Sequence, residues 1–283
     1  MRHGIVLFTS DRGISPTTLA RAAEERGFDT FYVPEHTHIP VRRTAAHPGT
    51  GDESMPDDRY LRTIDPWVTL GACAAVTTRI RLSTAVCLPV EHDPITLAKS
   101  IATLDHLSGG RVTIGAGFGW NTDELADHGV PPERRRTVLK EYVEAMRALW
   151  TADEASYDGE FVSFGPSWAW PKPVQAHVPL LIGAEAGPQT VRWIARHADG
   201  WMTTPRTIDV PANVVVLRDA WAEEGREGTP AVHVLIAARP SPDDLAAYAE
   251  CGVDELVWGV PDAEESVVLA SLDRLAARVE PLR

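Results

Sequence analysis

The sequence predicts a closed (β/α)8 barrel, and three observations carry that expectation. Short apolar runs alternate with amphipathic helical stretches along the whole chain. The alternation makes eight strand–helix units. The length, 283 residues, is about what such a barrel occupies. An open doubly wound sheet of eight strands is the alternative arrangement of the same units. No linker-like stretch divides the chain, so residues 1–283 are expected to form a single domain.

Each unit has its own local cause. Ile5–Phe8 is the first apolar run, and Ser15-Pro16 opens the first helix, with Ser as N-cap and Pro where no backbone N–H is needed. Thr30–Val33 is the second strand. Asp65-Pro66 starts the next helix by the same logic, Ile80–Val86 is the third strand, and Asp93-Pro94 opens a helix that stops at Ser108-Gly109-Gly110. Val112–Gly115 is the fourth strand. The helix after it carries Val138, Leu139, Tyr142, Val143, Met146, Leu149 and Trp150 as a stripe of 3.6-residue period. Leu180–Ile182, Gly200–Met202, Val232–Ala237 and Glu255–Val260 complete the strands. Their helices are expected over 189–197 and 214–224, from Ser241-Pro242, and over 264–279. Two segments exceed the repeat: residues 37–64, and residues 156–173 with a hairpin signal at Tyr157-Asp158-Gly159-Glu160-Phe161. Both are read as insertions after strands, two and four, on the side where barrel enzymes keep their sites.

Composition narrows the function. With 27 Lys and Arg against 40 Asp and Glu, the formal charge is −13, which argues against a nucleic-acid partner. No apolar run approaches the ~20 residues of a membrane span, and the start of the chain lacks the pattern of a signal peptide. Cys73, Cys87 and Cys251 are scattered, as in a reduced cytosolic protein without disulfides.

Candidate chemistry gathers at strand ends. Pro34-Glu35-His36 follows the second strand; His36 there serves equally well as a proton-transfer group near neutral pH or as a loop residue meeting local backbone needs. His36-x-His38 matches a metal pair of barrel hydrolases, but the ends of strands five and eight add no His, so no metal is expected. Gly115-Ala116-Gly117-Phe118-Gly119-Trp120 misses the dinucleotide spacing and reads as tight-turn glycine that also lets a flat ring approach closely. Gly183-Ala184-Glu185-Ala186-Gly187-Pro188-Gln189 leads into a helix N-terminus suited to a phosphate, with Glu185 required to point away. Arg134, Arg135 and Arg136 read first as a solvated helix face, with an anion contact as the lesser alternative. Arg42, Arg43, Arg59 and Arg62 are better placed to form a basic rim for an anionic ligand. Trp120 and Trp201, at strand ends, are candidates to wall a pocket.

These segments, in order, resemble the luciferase-like monooxygenase superfamily, in particular the branch that uses the deazaflavin coenzyme F420. The matching pieces are Gly27-Phe28-Asp29-Thr30-Phe31-Tyr32-Val33-Pro34-Glu35-His36, Thr84-Ala85-Val86-Cys87-Leu88-Pro89, and Gly115 to Trp120 with Glu124. They continue through Pro171-Lys172-Pro173-Val174-Gln175, Pro179-Leu180-Leu181-Ile182-Gly183 and Ala198-Asp199-Gly200-Trp201. The similarity covers roughly the first 205 residues; the last quarter matches only as barrel units.

The resemblance implies a TIM-type barrel that holds an isoalloxazine-like ring at its C-terminal mouth. By position Glu35 and His36 match the acidic residue–His pair beside the ring and are the expected catalytic residues. The Ala85-Val86 segment matches a strand that in relatives carries a bulge with a non-prolyl cis peptide behind the ring. Leu88, Phe118, Gly119 and Asp123 fall at cofactor contacts, and Ala186, Gly187, Gln189 and Thr190 at the phosphate-binding helix start. Trp120 and Thr204 are expected to meet substrate. Sugar-phosphate dehydrogenases of this kind carry a catalytic Glu at the position of Trp120, so an aromatic there implies a more apolar substrate. The implied protein is a cytosolic, homodimeric oxidoreductase that moves hydride between coenzyme F420 and a small organic molecule. An FMN-dependent monooxygenase and a non-catalytic flavin-binding protein are the alternatives.

Overall fold

A computed structural model describes residues 1–205 and 208–282. Eight parallel strands close into a barrel in the order β1 (Arg2–Leu7), β2 (Thr30–Val33), β3 (Arg81–Thr84), β4 (Val112–Gly117), β7 (Leu180–Gly183), β8 (Gly200–Thr203), β9 (Ala231–Ile236) and β10 (Glu255–Val260). Closure is made by β1 against β10, with Ile5 opposite Trp258. The expected barrel is therefore the observed one. The apolar strand runs are nearly continuous because parallel strands are covered on both faces. Their outward side chains pack under α1 (Pro16–Glu25), α2 (Pro66–Ala74), α3 (Pro94–Ser108), α5 (Arg135–Thr151), α6 (Pro188–His197), α7 (Val210–Glu223), α8 (Pro242–Glu250) and α9 (Glu265–Val279). No helix among the described residues is long and apolar enough to cross a membrane.

Helix starts follow the expected chemistry. The carboxylates of Asp65 and Asp93 accept from the N–H groups of Val68 and Thr96, and Ser241 forms a capping box with Asp244. Ser15 departs from expectation: its hydroxyl pairs with Thr17 and caps no N–H. Gly109 ends α3 in the left-handed region, at φ +71°. The third strand stops at Thr84, two residues early, and a cis peptide joins Ala85 to Val86.

The second insertion is placed differently from expectation. β5 (Ala155–Asp158) and β6 (Ser163–Ser167) form an antiparallel hairpin after helix α5, not directly after a strand. It lies along the outside of the barrel. The N–H groups of Glu160, Phe161 and Val162 bond the buried Glu141 of α5, and Arg134 pairs with Glu160. None of its residues lines the cavity at the barrel mouth.

Inside the barrel a second apolar cluster, Tyr32, Met202 and Val257 with Val6, Ala85, Val86 and Leu235, forms a floor below the C-terminal mouth. Under it lies a polar layer in which the Tyr32 hydroxyl donates to Glu255 and meets His233 Nδ1, each at 3.0 Å. Burial pushes the His233 imidazole down to about 3, so it is neutral, and pushes the Glu255 carboxyl up. Both groups are core residues, closed off from the mouth.

Candidate functional site

The mouth holds a cavity of about 310 Å3. One wall is apolar and nearly featureless: Ala85 and Val86 after β3, Gly183 and Ala184 at the end of β7, Met202 of β8 and Leu235 of β9. Gly183 is required there, since a Cβ would lie 2.3 Å from Val86 Cγ1. The facing wall is aromatic. Trp120, from the end of β4, meets His47 edge-on at 5.0 Å between ring centroids, and His47 meets Tyr60 at 4.9 Å. Thr203, Thr204 and Glu185 complete the rim. Trp201 is buried beneath, and its indole N–H holds the Ala184 carbonyl at 2.8 Å.

His47 and Tyr60 come from the long 37–64 segment, so that insertion builds part of the site, as its position after β2 predicts. Arg43, Arg59 and Arg62 do not form the expected rim. Arg59 and Arg62 are ion-paired with Asp57 and Asp11, and Arg43 donates to the Glu53 carbonyl. They hold the segment in shape.

The predicted residues divide into three groups. Ala85, Val86, Trp120 and Thr204 line the cavity. His36 sits just behind it, its ring 5.7 Å from Trp120 and 5.5 Å from Tyr60, with a side chain only 7% exposed. Its Nδ1 is 2.8 Å from Oε2 of Glu124, a carboxylate with no exposed surface on the short helix α4 (Thr122–Asp127). The carboxylate fixes the tautomer with hydrogen on Nδ1 and leaves Nε2 for chemistry.

The second group supports the site from behind. Glu35, 4% exposed, is directed away from the cavity: Oε2 accepts from the Leu88 N–H at 2.6 Å and Oε1 lies 2.7 Å from His92 Nε2. Leu88 is itself buried. Burial opposes charge on His92, but the bond to Glu35 and its field outweigh that, so the imidazole titrates above its usual value. Asp123 accepts from the N–H groups of Thr44 and Ala45 at 2.8 and 3.0 Å and so fastens the long segment to α4. Gly119 has φ +77°, and a Cβ there would strike Leu125, which explains glycine at this bend.

The third group gathers where α6 begins. Ala186, Gly187 and Pro188 border a neighbouring cavity of about 420 Å3 with Arg192. Gly187 is the N-cap and offers no side-chain cap, so the first N–H groups of α6, including those of Gln189 and Thr190, point outward. Phe118 lies close by, crossed by Trp193 and by the Arg136 guanidinium 4.1 Å above its ring. Arg136 was expected on a solvated face; instead Nη2 donates to Thr190 Oγ1 at 3.1 Å while the buried Nη1 has no acceptor. The spacing of Arg134, Arg135 and Arg136 could not show which of them turns inward.

Sequence reasoning also missed Glu91 and His128. Thr37 Oγ1 is 3.2 Å from Glu91 Oε2 and 2.7 Å from His128 Nε2. Burial, reinforced by the facing carboxylates of Glu124 and Glu35, pushes Glu91 up to about 9. No group of three or more His, Cys, Asp or Glu among the described residues is arranged to hold a metal ion.

The chain belongs to the luciferase-like monooxygenase family, whose profile matches residues 15–280. It is 66% identical over 279 residues to an uncharacterized protein of Mycobacterium tuberculosis (strain ATCC 25618 / H37Rv), covering 99% of each chain. It is 33% identical over 189 residues to an F420-dependent glucose-6-phosphate dehydrogenase of Nakamurella multipartita, covering 66% of this chain and 50% of that one. Two solved structures share the fold. A monooxygenase, RslO1, from Streptomyces bottropensis superposes with a TM-score of 0.79 at 23% identity, over 100% of this chain and 99% of that one. An F420-dependent secondary alcohol dehydrogenase in complex with an F420-acetone adduct superposes with a TM-score of 0.75 at 18% identity, over 100% of both.

Proposed function

We propose that this luciferase-like protein is an oxidoreductase that moves a hydride between coenzyme F420 and a small organic substrate held at the barrel mouth. The observation that carries the reading is the pairing of a flat apolar wall with a half-buried guanidinium, that of Arg136, whose buried Nη1 has no acceptor. The wall of Ala85, Val86, Gly183 and Met202 suits the face of a three-ring heterocycle. A Cβ at Gly117 or Gly183 would press on Val86 and spoil it. The cavity volume is within the ~300–1,000 Å3 usual for small-molecule sites. Beyond Glu185 the chain runs directly into the uncapped start of α6, where Arg136 Nη1 lacks an acceptor; a phosphate would satisfy both. The residues present therefore fit a ring with a phosphate-bearing tail.

The bound deazaflavin would supply the hydride chemistry. The chain's own residues have four tasks. Ala85, Val86 and Met202 back the ring, and α6 with Arg136 holds the tail. Trp120, His47 and Tyr60 close the opposite side and exclude water. His36 gives or takes one proton at Nε2, its orientation set by Glu124. An indole at position 120 offers no acid or base to a sugar hydroxyl, which favours a less polar substrate than a sugar phosphate. Kinship with an F420-dependent dehydrogenase supports the choice of cofactor.

An FMN-dependent monooxygenase is the second reading, favoured by the likeness to a solved monooxygenase. Titration of the purified protein with F420 and with FMN, followed by tryptophan fluorescence and oxygen consumption, separates the two. The first reading expects micromolar binding of F420 and turnover without oxygen uptake. Tighter binding of FMN with oxygen uptake would overturn it.

A further inference from the structure

Another cavity, of about 390 Å3, is lined by residues of β9, β10 and α9. Ile236, the last residue of β9, lines it, while the preceding Leu235 lines the mouth. Successive residues of a strand point to opposite faces, so the two cavities lie on opposite sides of β9. They share no lining residue. The chemistry of the mouth therefore does not account for this second hollow.

Three arginines line it. Arg239 comes from the link between β9 and α8. Arg274 and Arg278 are four residues apart on α9 and so share one helix face. Among the described residues, no hydrogen bond or ion pair engages any of the three guanidinium groups. The nearby Asp273 of α9 is taken by Arg26, at 2.7 Å. The chain carries 40 Asp and Glu against 27 Lys and Arg, yet no carboxylate lines the cavity. Like charges gathered without a counter-charge repel one another. Burial, and after it the charge of Arg239, disfavours the Arg278 cation. The rest of the lining is largely apolar, with Ile236, Leu275 and Trp258, whose ring centroid is 5.6 Å from the Arg278 guanidinium carbon.

We propose that Arg239, Arg274 and Arg278 form a binding site for a phosphate monoester whose organic part rests on Ile236, Trp258 and Leu275. The number of guanidinium groups selects the anion. One planar guanidinium satisfies both oxygens of a carboxylate in a single fork. A terminal phosphate presents three oxygens and nearly two negative charges at neutral pH, enough to engage forks from two elements. The apolar lining selects the ester. Ile236 and Leu275 are only half-buried, and an organic group would remove them from water where a free phosphate would leave them wet. The cavity volume lies within the ~300–1,000 Å3 usual for small-molecule sites. A nucleic acid is a poor alternative source of phosphate for a chain of net charge −13. The site is independent of the hydride-transfer reading.

The test is calorimetric titration of the full chain at fixed ionic strength, with phenyl phosphate as probe and inorganic phosphate and benzoate as comparisons. Arg274→Gln combined with Arg278→Gln removes two guanidinium groups from a solvent-accessible helix face. The wild type is expected to take up one more phenyl phosphate per chain than this double variant. An anion held at the start of α6 contributes equally to both proteins and drops out of the difference. At the site itself, inorganic phosphate and benzoate are each expected to bind at least tenfold more weakly than phenyl phosphate. Arg278→Lys keeps the charge and loses the fork, so it should weaken binding severalfold. Equal uptake by the wild type and the double variant overturns the site. Benzoate binding as tightly as phenyl phosphate overturns the choice of phosphate, and inorganic phosphate binding as tightly overturns the ester. Crystals of the wild type soaked in phenyl phosphate decide the matter without any variant. Phosphate oxygens within hydrogen-bond reach of at least two of the three arginines support the site, and a ligand confined elsewhere overturns it.

Discussion

Oε1 of Glu35 lies 2.7 Å from Nε2 of His92, so the residue next to His36 in the chain faces the other way, into the protein. The pair binds the end of β2 to the short 3-10 turn Pro89–Glu91 that follows the cis peptide. Glu35 therefore has a bracing task, distinct from the proton chemistry proposed for His36.

That bond makes stability depend on pH. The folded protein holds the His92 proton more tightly than the unfolded chain, so the contribution is complete below the unfolded value, ~6.5, and is lost as pH rises through the elevated folded value. Thermal melts at pH 6 and pH 9 should differ less in His92→Gln than in the wild type. At pH 6 the variant should lose ~1–3 kcal/mol, the scale of a charge-assisted hydrogen bond. Equal pH sensitivity in both proteins would show that the bond is energetically silent.

Gly183 tests the apolar wall. In Gly183→Val the new side chain must displace Val86. A stability loss of ~1–3 kcal/mol is expected from overpacking, together with at least a tenfold weaker affinity for F420 by fluorescence titration. Undiminished affinity would place the ring elsewhere.

Trp120 should report on cofactor binding, since it lines the same cavity as Ala85 and Val86. Trp120→Phe is expected to retain F420 binding within severalfold while removing more than half of the fluorescence change. A signal of unaltered size would mean that another of the nine tryptophans is the reporter.

Asp123 bonds two backbone N–H groups of the long segment, each bond worth ~1–2 kcal/mol. In Asp123→Ala, protease cleavage between residues 37 and 64 should speed up roughly tenfold, as local opening becomes easier. The melting temperature of the barrel should change little. A large drop in that temperature, without faster cleavage, would contradict this separation of loop from barrel.

Much of the fold was legible because strands and caps are local signals. The Asp-Pro and Ser-Pro helix starts and the apolar runs mark the units, and parallel closure follows from their number. The site was legible only where chain position decides the outcome, as at Ala85, Val86, Trp120 and Thr204. The turning of Glu35 toward His92, the inward guanidinium of Arg136 and the binding of Thr44 by Asp123 are all made across 50 or more residues. No periodicity encodes them. His47 and Tyr60 lie in a segment whose course is set by ion pairs such as Arg62 with Asp11, so its contribution of two rings to the site left no trace in spacing. The hairpin was misplaced because Tyr157 to Phe161 shows a turn and nothing in it says which end of the barrel is near.

The mouth is assembled from two sources with unequal freedom to vary. The wall of Ala85, Val86, Gly183 and Met202 belongs to strands locked in a ring, where one added methyl group disturbs a neighbour. The facing aromatic side is partly borrowed from a long excursion moored at Asp123. Changes between the mooring and the next helix can therefore reshape the aromatic side while the strand wall stays as it is. Residues 46–60, which carry His47 and Tyr60, are the unit to exchange when that side alone is to be altered.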